Sequence, residues 1–195
     1  MFDWETKERA EYSRSSQVSF VKLTKRSYLT ASGIAPKHTN ESSFLEKADV
    51  VVNLAKLISE GPVAGIDIPG FKNYRPYPVQ AVWQGDAFKI WLKQPLFINE
   101  TIYNQAMNQA SLSQSVDFEQ LAEGTEIQTI VNGAVTPALV SALQQEVTEV
   151  GYQLIEPDSH RELYLDGLPL TNEKQVLLRL ALDINVKQPS LAVYN

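Results

Sequence analysis

The chain has 195 residues, 44% of them hydrophobic, which is enough for one large or two small globular domains with a real core. Its net charge is -6, and no basic run marks a nucleic-acid-binding surface. The absence of cysteine excludes disulfides, thiolate metal ligands and a cysteine nucleophile. The N-terminus has no signal-peptide core, and no apolar run approaches the roughly 20 residues that span a membrane. We therefore expect a cytoplasmic protein with no direct nucleic-acid or membrane partner.

The hydrophobic pattern predicts strands and helices along the first half of the chain. The clearest helix begins near Ser43, which together with Glu46 predicts a capping box, and it ends at Gly61-Pro62. Its apolar residues share one stripe, at Phe44, Ala48, Val51, Ala55 and Ile58. In chain order the predicted elements are a strand hairpin (18–23 and 28–34), the helix (42–61), a Gly- and Pro-rich surface loop (61–77), a second hairpin (78–83 and 87–93) and a linking helix (99–111).

The second half repeats this order of elements. Thr136 and Pro137 predict the start of a helix, as its N-cap and first residue, and Gly151 predicts its end. The other predicted elements are a hairpin (117–121 and 125–131) and two final strands (160–166 and 177–184). We divide the single domain, residues 1–195, into an N-terminal segment (1–17), a first repeat (18–97), a linking helix (98–116), a second repeat (117–188) and a tail (189–195).

Each half thus consists of a hairpin, a helix and another hairpin. This order predicts an α+β fold with two antiparallel sheets, each backed by a helix. The faces that the helices leave bare can form a cleft between the two halves, which is a common place for small-molecule sites.

Four stretches of the chain resemble the stand-alone GyrI-like proteins, whose domain also forms the drug-binding half of some bacterial multidrug-responsive transcription activators. These stretches are "VSFVKLTKRSYLTASGIAP", "YPVQAVW", "FKIWLKQPLFINETIYNQAM" and "HRELYLDG" with the later "EKQVLLRLALDI". The resemblance implies two SH2-like βαββ units, related by a pseudo-twofold axis, around a ligand cleft. It also implies binding of flat, apolar and often cationic small molecules.

The stretch "HRELY" carries the strongest site candidates. A strand places His160, Glu162 and Tyr164 on one face, and Arg161 on the other. The resemblance places the family's central acid on Glu162 and a neighbouring aromatic residue on Tyr164. A buried carboxylate is a natural partner for a cation, whereas the alternative is an ordinary solvated strand face.

The remaining candidates come from the second hairpin and from the end of the "HRELY" strand. The resemblance places a family tryptophan on Trp83, or one register away, and the small Val79 and Ala81 on its face leave room for a ligand. Trp91 lies on the adjacent strand, although core packing is the common fate of a tryptophan. His160 can donate a proton, or can be an ordinary surface histidine. The ligand-binding candidates are therefore Glu162, Tyr164, Trp83, Ala81, Val79, Trp91 and His160, with Glu162 and Tyr164 also catalytic if the protein is an enzyme.

Two departures from the family pattern favour binding over catalysis. Gln80 replaces a family glutamate, and Ala134 replaces a family tyrosine. We expect no cofactor, because the chain has neither a Walker loop nor a Gly-x-Gly-x-x-Gly motif. We also expect no metal, because the two histidines, His38 and His160, lie far apart in the sequence and a zinc site built mainly on histidine would need more of them.

Three functional hypotheses follow. The first is a protein that binds flat apolar or cationic molecules. The second, implied by some stand-alone relatives, is a hydrolase of strained cyclopropane-bearing compounds. The third is an interaction with a protein partner, such as DNA gyrase or a regulator, which the resemblance also implies.

Overall fold

The computed structural model describes residues 1–183 and residue 185, so the tail predicted at 189–195 lies outside the described residues. The strands are β1 (Ser19–Leu23), β2 (Arg26–Ile34), β3 (Gln80–Gln84), β4 (Ala87–Lys93), β5 (Asp117–Leu121), β6 (Gly124–Asn132), β7 (Ser159–Tyr164) and β8 (Gln175–Ala181). The α-helices are α1 (Trp4–Lys7), α2 (Ser42–Glu60), α3 (Glu100–Gln109) and α4 (Pro137–Glu149). Among the described residues, no helix is both long and apolar enough to cross a membrane.

All eight strands lie in one antiparallel sheet, in the order β1-β6-β8-β7-β3-β4-β2-β5. The α+β class is therefore confirmed, but the expectation of two separate sheets is wrong. Pairing of β3 with β7, from Gln80 opposite Leu163 to Gln84 opposite Ser159, joins the two halves. If each of β1 to β4 swaps its label with its counterpart in β5 to β8, the sheet reads β5-β2-β4-β3-β7-β8-β6-β1. This is the observed order read from the opposite edge of the sheet. This topology suits two repeats, while their superposition about a pseudo-twofold axis stays a prediction.

Two of the predicted hairpins are not formed. Strand β1 pairs with β6 rather than with β2, and β5 pairs with β2 rather than with β6. The connection between β1 and β2 is Thr24-Lys25, which lacks the Gly, Asn or Asp that favours a tight hairpin turn. The β3–β4 hairpin is formed, and Gly85 adopts the positive φ of 57° that its turn needs.

Helices α2 and α4 cover the same face of the sheet. Ala81, Glu162 and Leu178 lie opposite one another on β3, β7 and β8, so their side chains share that face. Phe44 of α2 packs in the same core as Ala81, and Leu143 of α4 packs in a second core with Leu178. The expectation that the site would lie on a face without helices is therefore wrong for Glu162.

The predicted apolar stripe of α2 is buried, and the helix ends at Gly61, which has φ of 53°. The predicted capping box is wrong. Glu41 occupies the N-cap position, and the hydroxyl of Ser43 instead donates a hydrogen bond to the carbonyl of Ile34, at 3.3 Å.

The N-terminal segment covers part of the opposite sheet face. Trp4 is almost fully buried, and its Nε1 donates a hydrogen bond to the carbonyl of Pro76 at 2.8 Å. Arg179, which projects from that face, donates a hydrogen bond to the carbonyl of Glu11. Lys93 from the same face forms ion pairs with Glu11 at 2.7 Å and with Glu8 at 2.9 Å.

Candidate functional site

Glu162 lies on β7 with a relative exposure of 0%, so the strand face that carries it is not solvated. Its Oε2 accepts a hydrogen bond from the hydroxyl of Tyr164 at 3.0 Å, and its Oε1 lies 2.8 Å from Nε2 of His160. Trp83 donates its Nε1–H to the Tyr164 hydroxyl at 3.0 Å. Burial, and then the charge of Glu162, raise the pKa of Tyr164 well above its ordinary value. The phenol therefore stays protonated and holds the carboxylate in one orientation.

His38 completes this group from a distant part of the chain. It begins the single 3-10 turn that precedes α2, and its Nδ1 lies 3.8 Å from Oε1 of Glu162. Its ring stacks on Trp83 with 3.7 Å between ring centroids, and it lies nearly parallel to the ring of His160 at 6.0 Å. Burial lowers the pKa of His38, the charge of Glu162 opposes this shift, and the charge of His160 adds to it.

The backbone of His38 is in the left-handed region, with φ of 55°. Within the described residues it is the only non-glycine residue with positive φ. Histidine tolerates this region better than most residues, but the conformation still costs on the order of 1–3 kcal/mol. The turn thus places an imidazole ring over Glu162 at an energetic cost.

A groove of about 580 Å³ opens above the two histidines, between the His38 turn and the N-terminal half of α4. His38 and His160 line it, while Glu162 lies behind them without reaching its surface. Val140 and Pro137 contribute apolar wall, Gln144 contributes a polar group, and Lys37 contributes a positive charge. The groove therefore communicates with the buried carboxylate through the two imidazole rings.

Four of the residues predicted for the site are brought together: Glu162, Tyr164, Trp83 and His160. Two others, Val79 and Ala81, share their sheet face but are buried in the core and do not line the groove.

Trp91 does not lie at this site, and its placement beside Glu162 is corrected by the strand register. Trp91 pairs with Gln80, which pairs with Leu163, so all three side chains project from the opposite face. There the guanidinium of Arg161 lies 4.3 Å from the centroid of the Trp91 ring. Gln80 is on this opposite face as well, so its departure from the family glutamate removes no group from the site around Glu162.

Sequence reasoning missed His38 and the α4 wall. The available signal was that the chain has only two histidines, but their distance in sequence hid their proximity in the fold. The expectation of no metal site rested on that distance and on the small number of histidines, and the distance in sequence is no argument once the fold brings the two rings together.

A second group of buried charges lies on the opposite face. Arg161 Nε is 3.3 Å from a carboxylate oxygen of Glu126 and 3.5 Å from one of Glu123, and Arg179 is 3.5 Å from Glu123. Burial raises the pKa of Glu126. Burial also acts to raise the pKa of Glu123, but the charges of Arg161 and Arg179 outweigh it and leave that pKa below its ordinary value. These four charges compensate one another within the protein.

No protein-family model matches the chain, and no curated protein matches it significantly. Solved structures do match. A hydrolase encoded by lin2189 from Listeria innocua is 17% identical with a TM-score of 0.80, covering 93% of this chain and 99% of that one. A hydrolase from Listeria innocua is 16% identical with a TM-score of 0.78, and the match covers 94% of this chain and 100% of the hydrolase. The C-terminal domain of EcmrR is 14% identical with a TM-score of 0.53, and the match covers 86% of this chain and 97% of that domain. At these identities the likeness establishes the fold, which agrees with the resemblance to GyrI-like domains.

Proposed function

We propose that this protein binds small molecules in the groove above His38 and His160. The observation that carries this proposal is the state of Glu162. It is fully buried, and its ion-pair partners among the described residues are two histidines rather than lysine or arginine. A neutral imidazole does not compensate a carboxylate, whereas a cation in the groove would.

The ligands we propose are flat, aromatic and preferably cationic. The groove volume of about 580 Å³ lies within the range of ligand pockets. The imidazole of His38, already stacked on Trp83, offers a flat floor, and Val140 and Pro137 offer apolar walls. The GyrI-like resemblance implies the same ligand class.

The test is a titration with a matched pair of flat dyes, one cationic and one neutral, followed by the fluorescence of the dye. We expect the cationic dye to bind with micromolar affinity and Glu162→Gln to weaken it about tenfold, which is about 1.4 kcal/mol. The neutral dye should be indifferent to this variant. Asp158→Asn, at an exposed position before β7, is the matched control and should change neither affinity. Equal affinity for the two dyes in the wild-type protein would contradict the electrostatic part of the proposal.

A hydrolase is a second candidate, and the hydrogen bonds around His160 favour it. His160 lines the groove, Glu162 holds its Nε2 at 2.8 Å, and Tyr164 holds Glu162 in turn. An imidazole oriented by a carboxylate is a common group for proton transfer. The resemblance suggests strained cyclopropane-bearing compounds, in which water adds across the C–C bond that breaks, one carbon taking the proton and the other the hydroxyl group.

Turnover separates these two candidates. A protein that only binds would release no product, whereas an enzyme would form more than one equivalent of ring-opened product per chain. We expect His160→Gln to abolish such turnover. Product formation at the uncatalysed rate in the wild-type protein would contradict the hydrolase candidate and leave the binding proposal intact.

A further inference from the structure

We infer that His38, His160 and Glu162 form a binding site for a divalent transition-metal ion, with Zn²⁺ the ion that best fits the donor set. One donor atom from each residue lies within 4.8 Å of the other two. This inference goes beyond the proposed function, because it needs no organic ligand in the groove.

The donors have the chemistry and nearly the spacing that zinc requires. Two imidazoles and one carboxylate form a known ligand set for zinc, with bonds of about 2.0–2.2 Å. Tetrahedral bonds of this length place the donor atoms about 3.3–3.5 Å apart. Oε1 of Glu162 lies 2.8 Å from His160 Nε2 and 3.8 Å from His38 Nδ1, so the two distances fall on either side of that value. The donor atoms of the two histidines lie within 4.8 Å of each other, so rotation of the side chains would be needed to bring all three donors to one ion.

The surrounding residues already orient the donors. The hydroxyl of Tyr164 holds Oε2 of Glu162, which leaves Oε1 directed at both histidines. Trp83 holds the Tyr164 hydroxyl through its Nε1 and also supports the ring of His38 by stacking. Hydrogen bonds of this kind to a ligating carboxylate tune metal affinity in other proteins. Because a ligating imidazole nitrogen carries no proton, a bound ion would replace the hydrogen bond between His160 Nε2 and Oε1 of Glu162.

The site would leave one coordination position open. Both imidazole rings line the groove, so the fourth ligand of the ion would come from water or from a molecule in the groove. Three protein ligands and one open position are the arrangement of catalytic rather than structural zinc sites. The loaded site would therefore accept molecules with a donor atom, and it would disfavour the organic cations that the metal-free groove attracts.

The experiment starts from the chain of residues 1–195, freed of metal with a chelator and then dialysed. Zn²⁺ is titrated by calorimetry, and Co²⁺ by its visible absorption, which reports the coordination number. We expect one ion per chain with micromolar or tighter affinity. His38→Ala and Glu162→Gln should each weaken Zn²⁺ binding at least a hundredfold, and Tyr164→Phe by about tenfold. Asp158→Asn, the exposed control, should bind as the wild type does.

A second measurement needs no variant. Since the chain contains only two histidines, the imidazole nitrogen signals of the wild-type protein report both rings directly by nuclear magnetic resonance. One equivalent of Zn²⁺ should shift both. Three results would overturn the inference: Zn²⁺ binding weaker than millimolar, a shift confined to one ring, or unchanged affinity in both His38→Ala and Glu162→Gln. The contact between His160 and Glu162 would then be a hydrogen bond only.

Dye titrations with chelator present and with Zn²⁺ present keep the two proposals separate. Dye binding without any zinc binding overturns only the metal site. Zinc binding without any dye binding overturns only the proposed function.

Discussion

The hydroxyl of Tyr164 accepts a hydrogen bond from Trp83 and donates one to Glu162, both at 3.0 Å and both buried. Tyr164→Phe removes this one oxygen and leaves the ring in place. The variant leaves the Trp83 N–H without an acceptor, at a cost of about 1–3 kcal/mol, and it removes a hydrogen bond to a charged group, which contributes about 1.5–3 kcal/mol. Because the two effects overlap, we expect the free energy of unfolding to fall by about 3 kcal/mol. For a chain of this size, that lowers Tm by roughly 6–12 °C.

Urea unfolding followed by tryptophan fluorescence measures this change, with the denaturant dependence expected to stay constant. Tyr74→Phe is the matched control. Tyr74 is also buried, but within the described residues its hydroxyl has no hydrogen-bond partner. Removing an unsatisfied hydroxyl should leave stability unchanged or raise it slightly.

The two tyrosines differ in whether the buried hydroxyl group has hydrogen-bond partners. A loss below about 1 kcal/mol for Tyr164→Phe would refute the buried hydrogen-bond chain, since that is no more than one ordinary neutral hydrogen bond contributes. An equal loss for both variants would show that ring packing, and not the hydroxyl group, decides the result.

Three further outcomes are expected. Glu162→Gln should change the free energy of unfolding in urea by no more than about 1 kcal/mol, because relief of a buried charge offsets a weaker hydrogen bond; a loss above 3 kcal/mol would contradict this. Trp91→Phe should lower the free energy of unfolding by about 1 kcal/mol, because phenylalanine makes a weaker contact with Arg161. The affinities for the dye and for Zn²⁺ should stay unchanged, and a change in either would show that Trp91 contributes to the site. Gly33→Ala should lower stability by about 1–3 kcal/mol, since the new Cβ would lie 2.6 Å from the ring of Phe88; an unchanged Tm would show that this ring moves away freely.

The positions of the eight strands and of α2, α3 and α4 were predictable from the sequence because local patterns determine them, whereas the four-residue α1 was not predicted. The apolar stripe of α2, its end at Gly61 and the Thr136-Pro137 start of α4 all depend on residues a few positions apart. Strand pairing is different. The exchange that pairs β1 with β6 and β5 with β2 depends on contacts between the two halves. The Thr24-Lys25 connection disfavours a tight β1–β2 hairpin, but no nearby residue indicates which strand β1 pairs with instead. The single sheet follows from that exchange together with the β3–β7 pairing, so local sequence patterns could not predict it either.

The residues of the candidate site also fall into those that local patterns predict and those that depend on contacts between distant parts of the chain. Alternation along one strand correctly grouped His160, Glu162 and Tyr164, because that pattern has a period of two residues. The face of Trp91 relative to Glu162 depends on the register across β3, which the sequence of either strand does not contain. His38 was missed because its position follows from a left-handed turn and from stacking on Trp83, both of which need the folded chain.

Two adjacent residues of β7, Arg161 and Glu162, place a buried charge on each face of the sheet. The two charges differ in the partners that surround them. Arg161 is compensated within the protein by Glu123 and Glu126, and the N-terminal segment bonds to Arg179 of the same group. Glu162 has only histidines as ion-pair partners among the described residues, and those histidines line an open groove. The charges of the first group balance within the protein, although Arg161 Nη1 and one carboxylate oxygen of Glu126 have no hydrogen-bond partner among the described residues. An incompletely compensated charge, in contrast, is one whose energy a bound cation or proton can lower. Burial alone therefore does not locate the site in this protein; the lack of an obligatory positive partner at Glu162 does.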